Sequence, residues 1–345
     1  MRVRACVVHG AGDLRVEDRE TTEPGRGEIA VAVALGGICG SDLHYYHRGA
    51  VGDFRLREPL VLGHEVVGHV AALGPDVDGP ALGTPVAVHP ATPCGRCREC
   101  TQSHRNVCAH SRYLGSAARF PHVAGGFTQR LVIPAEQVRE LPAGLEPHRA
   151  VLAEPLSVAL HAVHRAGDVT GKRVLVTGAG PIGCLVVAAL RHAGAAEVVV
   201  GDLLEAPLAL ALKVGATSTV RADDPADPAW PTDVDVAIEA SGSPAGLRSC
   251  VERIRRAGTV VLLGLLPPGE IGFLGNVVVT REISVVGAFR FDREFDEALA
   301  LLADGLPVDP IISHTFPLDD ARAAFDLAGD RKLASKVLLD LREGP

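Results

Sequence analysis

Four cysteines at positions 94, 97, 100 and 108, in the stretch PCGRCRECTQSHRNVC, constrain the fold of this chain more than any other feature. The spacing C-x2-C-x2-C-x7-C lets three thiolates wrap one tetrahedral ion while a fourth closes the shell. A closed four-sulfur site leaves no position for a substrate. Cys94, Cys97, Cys100 and Cys108 are therefore expected to hold a structural zinc and to order a loop. Disulfides are the alternative, and they suit short secreted scaffolds. This chain has 345 residues, opens without an apolar signal segment and puts four of its eight cysteines here.

The length predicts about two domains. Hydrophobic residues make up 47% and charged residues 22%, enough to build real cores. The net charge is −8, with no run of lysine or arginine, so neither nucleic acid nor an anionic membrane surface is an expected partner. His, Arg or Asp interrupts every apolar run well short of the ~18 residues of a membrane span. The opening MRVRACVVHGAGDLRVED reads as two short strands, not as a targeting segment. Reduced cysteines at zinc spacing fit a reducing, cytoplasmic compartment.

Up to Leu141, short apolar runs such as EIAVAVALGG, HEVVGHVAAL and FTQRLVI alternate with Gly/Pro turns, as in a β-rich unit with long loops. The texture changes near Pro147, where HRAVLAEPLSVALHAVHRAG takes helical spacing and ends at Gly167. Strand and helix then alternate through RVLVTG, EVVVGD, DVAIEAS, TVVLLG and EISVVGAF, which implies a parallel sheet with helices on both faces. Prolines in PADPAWPTD, residues 225–233, exclude an ordinary crossover helix there and predict a loop. The tail from Asp292 could return to the first unit.

RVLVTG runs into GAGPIG, which places Gly178, Gly180 and Gly183 at a strand-to-helix turn. Gly178 permits the tight turn, Gly180 lets a pyrophosphate approach the backbone, and Gly183 allows close helix–strand packing. Pro181 and Ile182 complete this cradle, and Leu263 and Gly264 close it from the later strand end. Asp202 ends the next strand, nineteen residues beyond Gly183, where a carboxylate binds both ribose hydroxyls of NAD and repels a 2′-phosphate. Leu203, Leu204 and Glu205 supply no cation for that phosphate, so NAD is the expected cofactor.

Outside the cysteine lobe, GGICGSDLHYY, LGHEVVGHV and LAEPLSV offer Cys39, His64, Glu65 and Glu154 as further ligands. The pattern Gly63-His64-Glu65-x2-Gly68-x5-Gly74-x2-Val77 resembles the zinc signature of the medium-chain zinc alcohol dehydrogenases. The cysteine lobe and GAGPIG fall in that family's order, and the likeness covers essentially the whole chain. It implies an α/β protein with a GroES-like, β-rich catalytic domain at 1–148 and 290–345 and an inserted Rossmann NAD-binding domain at 149–289. Glu154 stands where the alcohol-oxidising branch carries a cysteine, which resembles the polyol dehydrogenase branch. There Cys39, His64 and one or both of Glu65 and Glu154 surround a catalytic zinc with one open position.

Such a zinc acidifies the substrate hydroxyl, and hydride passes to the nicotinamide. Ser41 and His44 match the family's proton relay. GGICGSDLHYY, VGDF at 51–54, GSAARFPHVAGGF at 115–127 and GAFRF at 287–291 are together most similar to the members of that branch that oxidise an aldonate. An aldonate needs a cation for its carboxylate, and Arg290 is the leading candidate, with Arg55, Arg119 and His122 behind it. A neutral polyol or sugar dehydrogenase is the near alternative. A catalytically idle NAD- or redox-responsive binding protein is a further one, against which Cys39, Ser41, His44, His64 and Glu154 count together. The resemblance also implies a homotetramer, with a dimer next, and VVVTREISVVGAF as the pairing edge.

Overall fold

The computed structural model describes residues 1–224 and 226–342. The α/β architecture is the one expected. Strands Ser218–Arg221, Glu197–Asp202, Arg173–Thr177, Val234–Glu239, Ile254–Leu262 and Ser284–Gly287 form one six-stranded sheet in that spatial order, all parallel. The chain starts in the middle at Arg173–Thr177, builds outward to one side and then to the other. This order reversal opens a crevice at the strands' C-terminal ends, where Rossmann folds bind dinucleotides.

The second unit is mostly antiparallel. Its central strand, Glu28–Gly37, is buried at nearly every position and pairs with Glu65–Leu73, Arg130–Pro134 and Lys336–Asp340. The chain tail therefore does return: Leu338 faces Gly37 and Leu339 faces Gly36. Strand Ile312–Pro317 pairs in parallel beyond it. Helix Glu294–Ala303 behaves differently from the rest of the tail. It packs on helix Ala153–Ala166 through Phe295, Ala298, Leu299 and Leu302, in a core shared with the parallel sheet. Residues 290–342 thus pack on both sides of the expected division.

Between Arg221 and Val234 no helix occurs among the described residues; Pro225 lies outside them. Trp230 covers the sheet face there instead. Its ring lies so close to Gly201 that a Cβ at 201 would sit 2.6 Å from it, and its indole N–H donates to the Asp224 carbonyl at 2.9 Å. The segment SPAGLRSCVERIRRAG, between DVAIEAS and TVVLLG, is helical over only part of its length. Its helix ends at Arg253 and the next strand begins at Ile254. Ile254 is fully buried and β-branched, and Ala257 takes φ 56°, which a continuous helix forbids. Among the described residues, no helix is long and apolar enough to cross a membrane.

Candidate active site

The glycine turn after Arg173–Thr177 is as tight as sequence reasoning required. Gly178 has φ 95°, and a Cβ on Gly183 would lie 1.9 Å from the Gly178 carbonyl oxygen. A Cβ on Gly180 would meet nothing within 4 Å, so the backbone there faces open space at the N-terminus of helix Pro181–His192. The fit to a dinucleotide pyrophosphate is good. A cleft of about 480 Å³ runs from Gly180, Pro181, Ile182 and Gly183 across to Cys39, Glu65 and the 331–336 segment. Asp202 ends its strand buried, accepting the Ala179 N–H at 2.7 Å and the Leu204 N–H at 3.1 Å. Leu263 and Gly264 lie past the end of strand Ile254–Leu262, both donating to the Glu239 carbonyl.

At the other end of the cleft, ligand atoms of Cys39, His64 and Glu65 all lie within 4.8 Å of one another. Cys39 precedes helix Gly40–Arg48, His64 follows strand Leu60–Val61, and Glu65 opens the next strand. Asp42 locks the first two segments together: its buried carboxylate accepts the Cys39 N–H at 3.0 Å and the Gly63 N–H at 3.2 Å. Burial raises the Asp42 pKa. Gly37 leaves room for Glu65, because a Cβ at 37 would sit 2.2 Å from the carboxylate. The soft thiolate, imidazole and carboxylate are a donor set suited to zinc.

Glu154 is outside that trio. It opens helix Ala153–Ala166, and its carboxylate accepts the Tyr113 hydroxyl at 2.6 Å. The Arg290 guanidinium lies over the Tyr113 ring, 4.0 Å from its centroid. Arg290 itself has φ 54°, a left-handed backbone that costs a non-glycine residue of order 1–3 kcal/mol and recurs at functional sites. Burial lowers its pKa. Ser41 and His44 occupy one face of helix Gly40–Arg48, half-buried, with the His44 pKa lowered by burial.

The remaining candidates are placed otherwise. Arg119 is bound to main-chain carbonyls of Ala109 and Ser111. His122 accepts the Arg57 N–H at 2.9 Å through Nε2 and lies 2.7 Å from the Arg119 carbonyl through Nδ1. Arg55 is exposed on a short hairpin. Tyr113, Asp42, Lys336 and Arg331 were missed from sequence. Lys336 carried a signal, since a lysine opening the apolar run KVLLD is poorly suited to a core unless paired. Tyr113 carried none.

In the cysteine lobe all four thiols are free. The Cys97–Cys108 and Cys108–Cys94 sulfur distances are both 3.6 Å. A tetrahedron with metal–sulfur bonds of ~2.3 Å has edges of ~3.8 Å, so the cage fits zinc.

A Rossmann crevice facing a Cys–His–carboxylate site, with a four-thiolate lobe alongside, defines a zinc-dependent, NAD-using dehydrogenase. Residues 25–143 match the alcohol dehydrogenase GroES-like domain, and residues 181–304 match the zinc-binding dehydrogenase family. The chain belongs to the medium-chain zinc-dependent alcohol dehydrogenase family. It is 39% identical to L-idonate 5-dehydrogenase (NAD(P)(+)) of Escherichia coli (strain K12), over 98% of this chain and 99% of that one. It is 33% identical to sorbitol dehydrogenase of Bacillus subtilis (strain 168), over 94% and 93%. The crystal structure of the L-idonate 5-dehydrogenase from Escherichia coli str. K-12 substr. MG1655 superimposes with TM-score 0.91 at 38% identity, covering 99% of this chain and 98% of that one.

Proposed function

We propose that this dehydrogenase oxidises the C5 hydroxyl of an aldonate, L-idonate, to 5-ketogluconate with NAD. The observation that carries the reading is Arg290. Its half-buried guanidinium is stacked on Tyr113 and Phe289 and has no ion-paired carboxylate among the described residues. A cation stacked on the tyrosine that bonds Glu154, and in ion-pair contact with no carboxylate among those residues, suits a substrate carboxylate. The likeness to L-idonate 5-dehydrogenase supports the same substrate.

Cys39, His64 and Glu65 would hold the catalytic zinc, with Glu154, bonded to Tyr113, near His64 and Glu65. When bound, zinc supplies the Lewis acidity that acidifies the hydroxyl, and NAD supplies the hydride acceptor. The protein's own part is placement and proton movement. Asp42 fixes the Cys39 and Gly63 backbones, so the ligands are set before substrate arrives. The hydroxyl proton leaves along Ser41 to His44. Burial keeps that imidazole neutral near pH 7, hence able to accept the proton and pass it to solvent.

A neutral-polyol reading keeps one observation in its favour. Arg119 and His122 are committed to main-chain partners, which leaves Arg290 as the principal cation for an acid. We also propose a cytoplasmic homotetramer. Support comes from the eight free cysteines and from Ser284–Gly287, which lies at an open sheet edge. The activity is tested by mixing purified protein, NAD and L-idonate. NADH formation that stops with a chelator and returns with zinc supports the proposal. No turnover of any aldonate or polyol would favour a binding protein.

A further inference from the structure

Asp202 has a third contact that its own domain does not provide. The Arg331 guanidinium, from the segment between helix Ala321–Ala328 and strand Lys336–Asp340, reaches Asp202 Oδ2 at 2.5 Å. The Arg331 side chain is 48% exposed while the Asp202 side chain is 3% exposed. A pair with one partner this exposed adds little to stability. Its position is what matters. Arg331 lines the same cleft as Gly180, Pro181 and Ala206, at the end where the adenosine ribose of a dinucleotide must meet Asp202. Two of the three contacts on Asp202 are backbone N–H groups of its own fold, from Ala179 and Leu204. The contact from Arg331 is the one that ribose hydroxyls can replace.

We propose that Arg331 is a cofactor-specificity residue: displaced from Asp202 by the ribose of NAD, and retained as the counter-ion for the 2′-phosphate of NADP. A lone acid at this position excludes a 2′-phosphate by repulsion. An acid already paired with arginine presents no net charge to it, and a guanidinium binds phosphate through parallel hydrogen bonds. The residues that follow Asp202 in sequence supply no such cation, so the function has passed to a residue 129 positions away in the chain. Lys332 and Lys213 line the same cleft and add positive charge around it. The enzyme should therefore accept both dinucleotides, with NAD preferred because Asp202 remains.

The inference rests on the family's dinucleotide use, and its test separates the two. Calorimetric titration of the zinc-loaded wild type with NAD and with NADP should show binding of both, NAD the tighter. Failure to bind either would remove the dehydrogenase reading itself. R331A should lower the ratio of NADP to NAD affinity by at least ~10-fold, the loss of one charge-assisted contact, and R331K should restore part of it. The same ratio measured as kcat/KM should move in parallel. An unchanged ratio in R331A, or a wild type that binds NAD and has no measurable affinity for NADP, would overturn the proposal.

Discussion

The ammonium of Lys336 lies 2.7 Å from each carboxylate oxygen of Glu65, and both side chains are almost completely buried. Nζ also donates to the Ile38 carbonyl at 3.1 Å, so the cation is bonded to the residue that precedes Cys39, a proposed metal ligand. Burial works against the charged lysine, yet Glu65 outweighs it and the Lys336 pKa is raised. Strand Lys336–Asp340 thereby reaches into the proposed metal site. Replacing the lysine leaves a buried carboxylate without its counter-charge, a loss of ~3–5 kcal/mol in comparable buried pairs. Lys336→Met is expected to lower stability by about that amount in urea denaturation, and to reduce zinc retention. A variant as stable as wild type would show that Glu65 finds its compensation elsewhere.

Glu294 ties the loop carrying Arg290 to helix Ala153–Ala166. Its carboxylate lies 2.9 Å from His161 Nδ1 and 3.2 Å from His164 Nδ1, and accepts the N–H groups of Asp292 and Arg293. Burial opposes the charge, but the histidine bonds outweigh it and hold Glu294 well below the usual range. His164 is raised, chiefly by Glu294. The lowered acid contributes fully above its unfolded pKa of ~4.3, and the raised histidine contributes fully below ~6.5 and fades as pH rises through its raised folded value, so both act in full between these values. Glu294→Gln should therefore cost more stability at pH 6 than at pH 9. An equal loss at both pH values would assign the whole effect to uncharged hydrogen bonds.

The cysteine lobe is expected to carry metal for structure alone. Asn106 donates to the Phe289 carbonyl at 2.9 Å and Arg105 pairs with Asp292 at 2.7 Å, so the lobe braces the loop on either side of Arg290. Cys97→Ser should remove about one zinc per subunit, lower the melting temperature, and weaken substrate binding before it weakens NAD binding. Metal analysis with unchanged zinc content and full thermal stability would contradict a closed zinc site.

Turnover and cofactor binding should separate, because the proposed metal ligands Cys39, His64 and Glu65 lie in the antiparallel unit while the glycine turn follows a strand of the parallel sheet. Cys39→Ser and His64→Ala should each lower kcat by several orders of magnitude. NADH affinity, followed by direct titration, should stay near the wild-type value. Near-normal turnover in either variant would remove the assigned metal role.

Much of this was legible in the sequence because the informative contacts are local. The cysteine lobe spans fifteen residues and the glycine turn six, and each motif implies its own geometry. What stayed hidden depends on distant chain segments. Lys336 meets Glu65 across 271 positions, and Arg331 meets Asp202 across 129. Tyr113 between Arg290 and Glu154 could not be found from spacing, since its partners lie on two other elements. Arg119 and His122 show the opposite situation. Their charge and position suited a substrate, but main-chain carbonyls and amides in the surrounding loops had already claimed them.

The central claim is that the pocket was built around an acid. If Arg290 waits for a carboxylate, sorbitol leaves that partly buried cation unpaired, a loss of ~2–5 kcal/mol for a buried charge stripped of its partner. The measurement is kcat/KM for L-idonate and for sorbitol on the same preparation with NAD, in wild type and in Arg290→Ala. L-Idonate should be favoured at least ~10-fold in the wild type, each ~1.4 kcal/mol being a factor of ten, and the preference should shrink in the variant. Sorbitol turned over as well as L-idonate, or better, by the wild-type enzyme would contradict the aldonate assignment and leave a polyol dehydrogenase in its place.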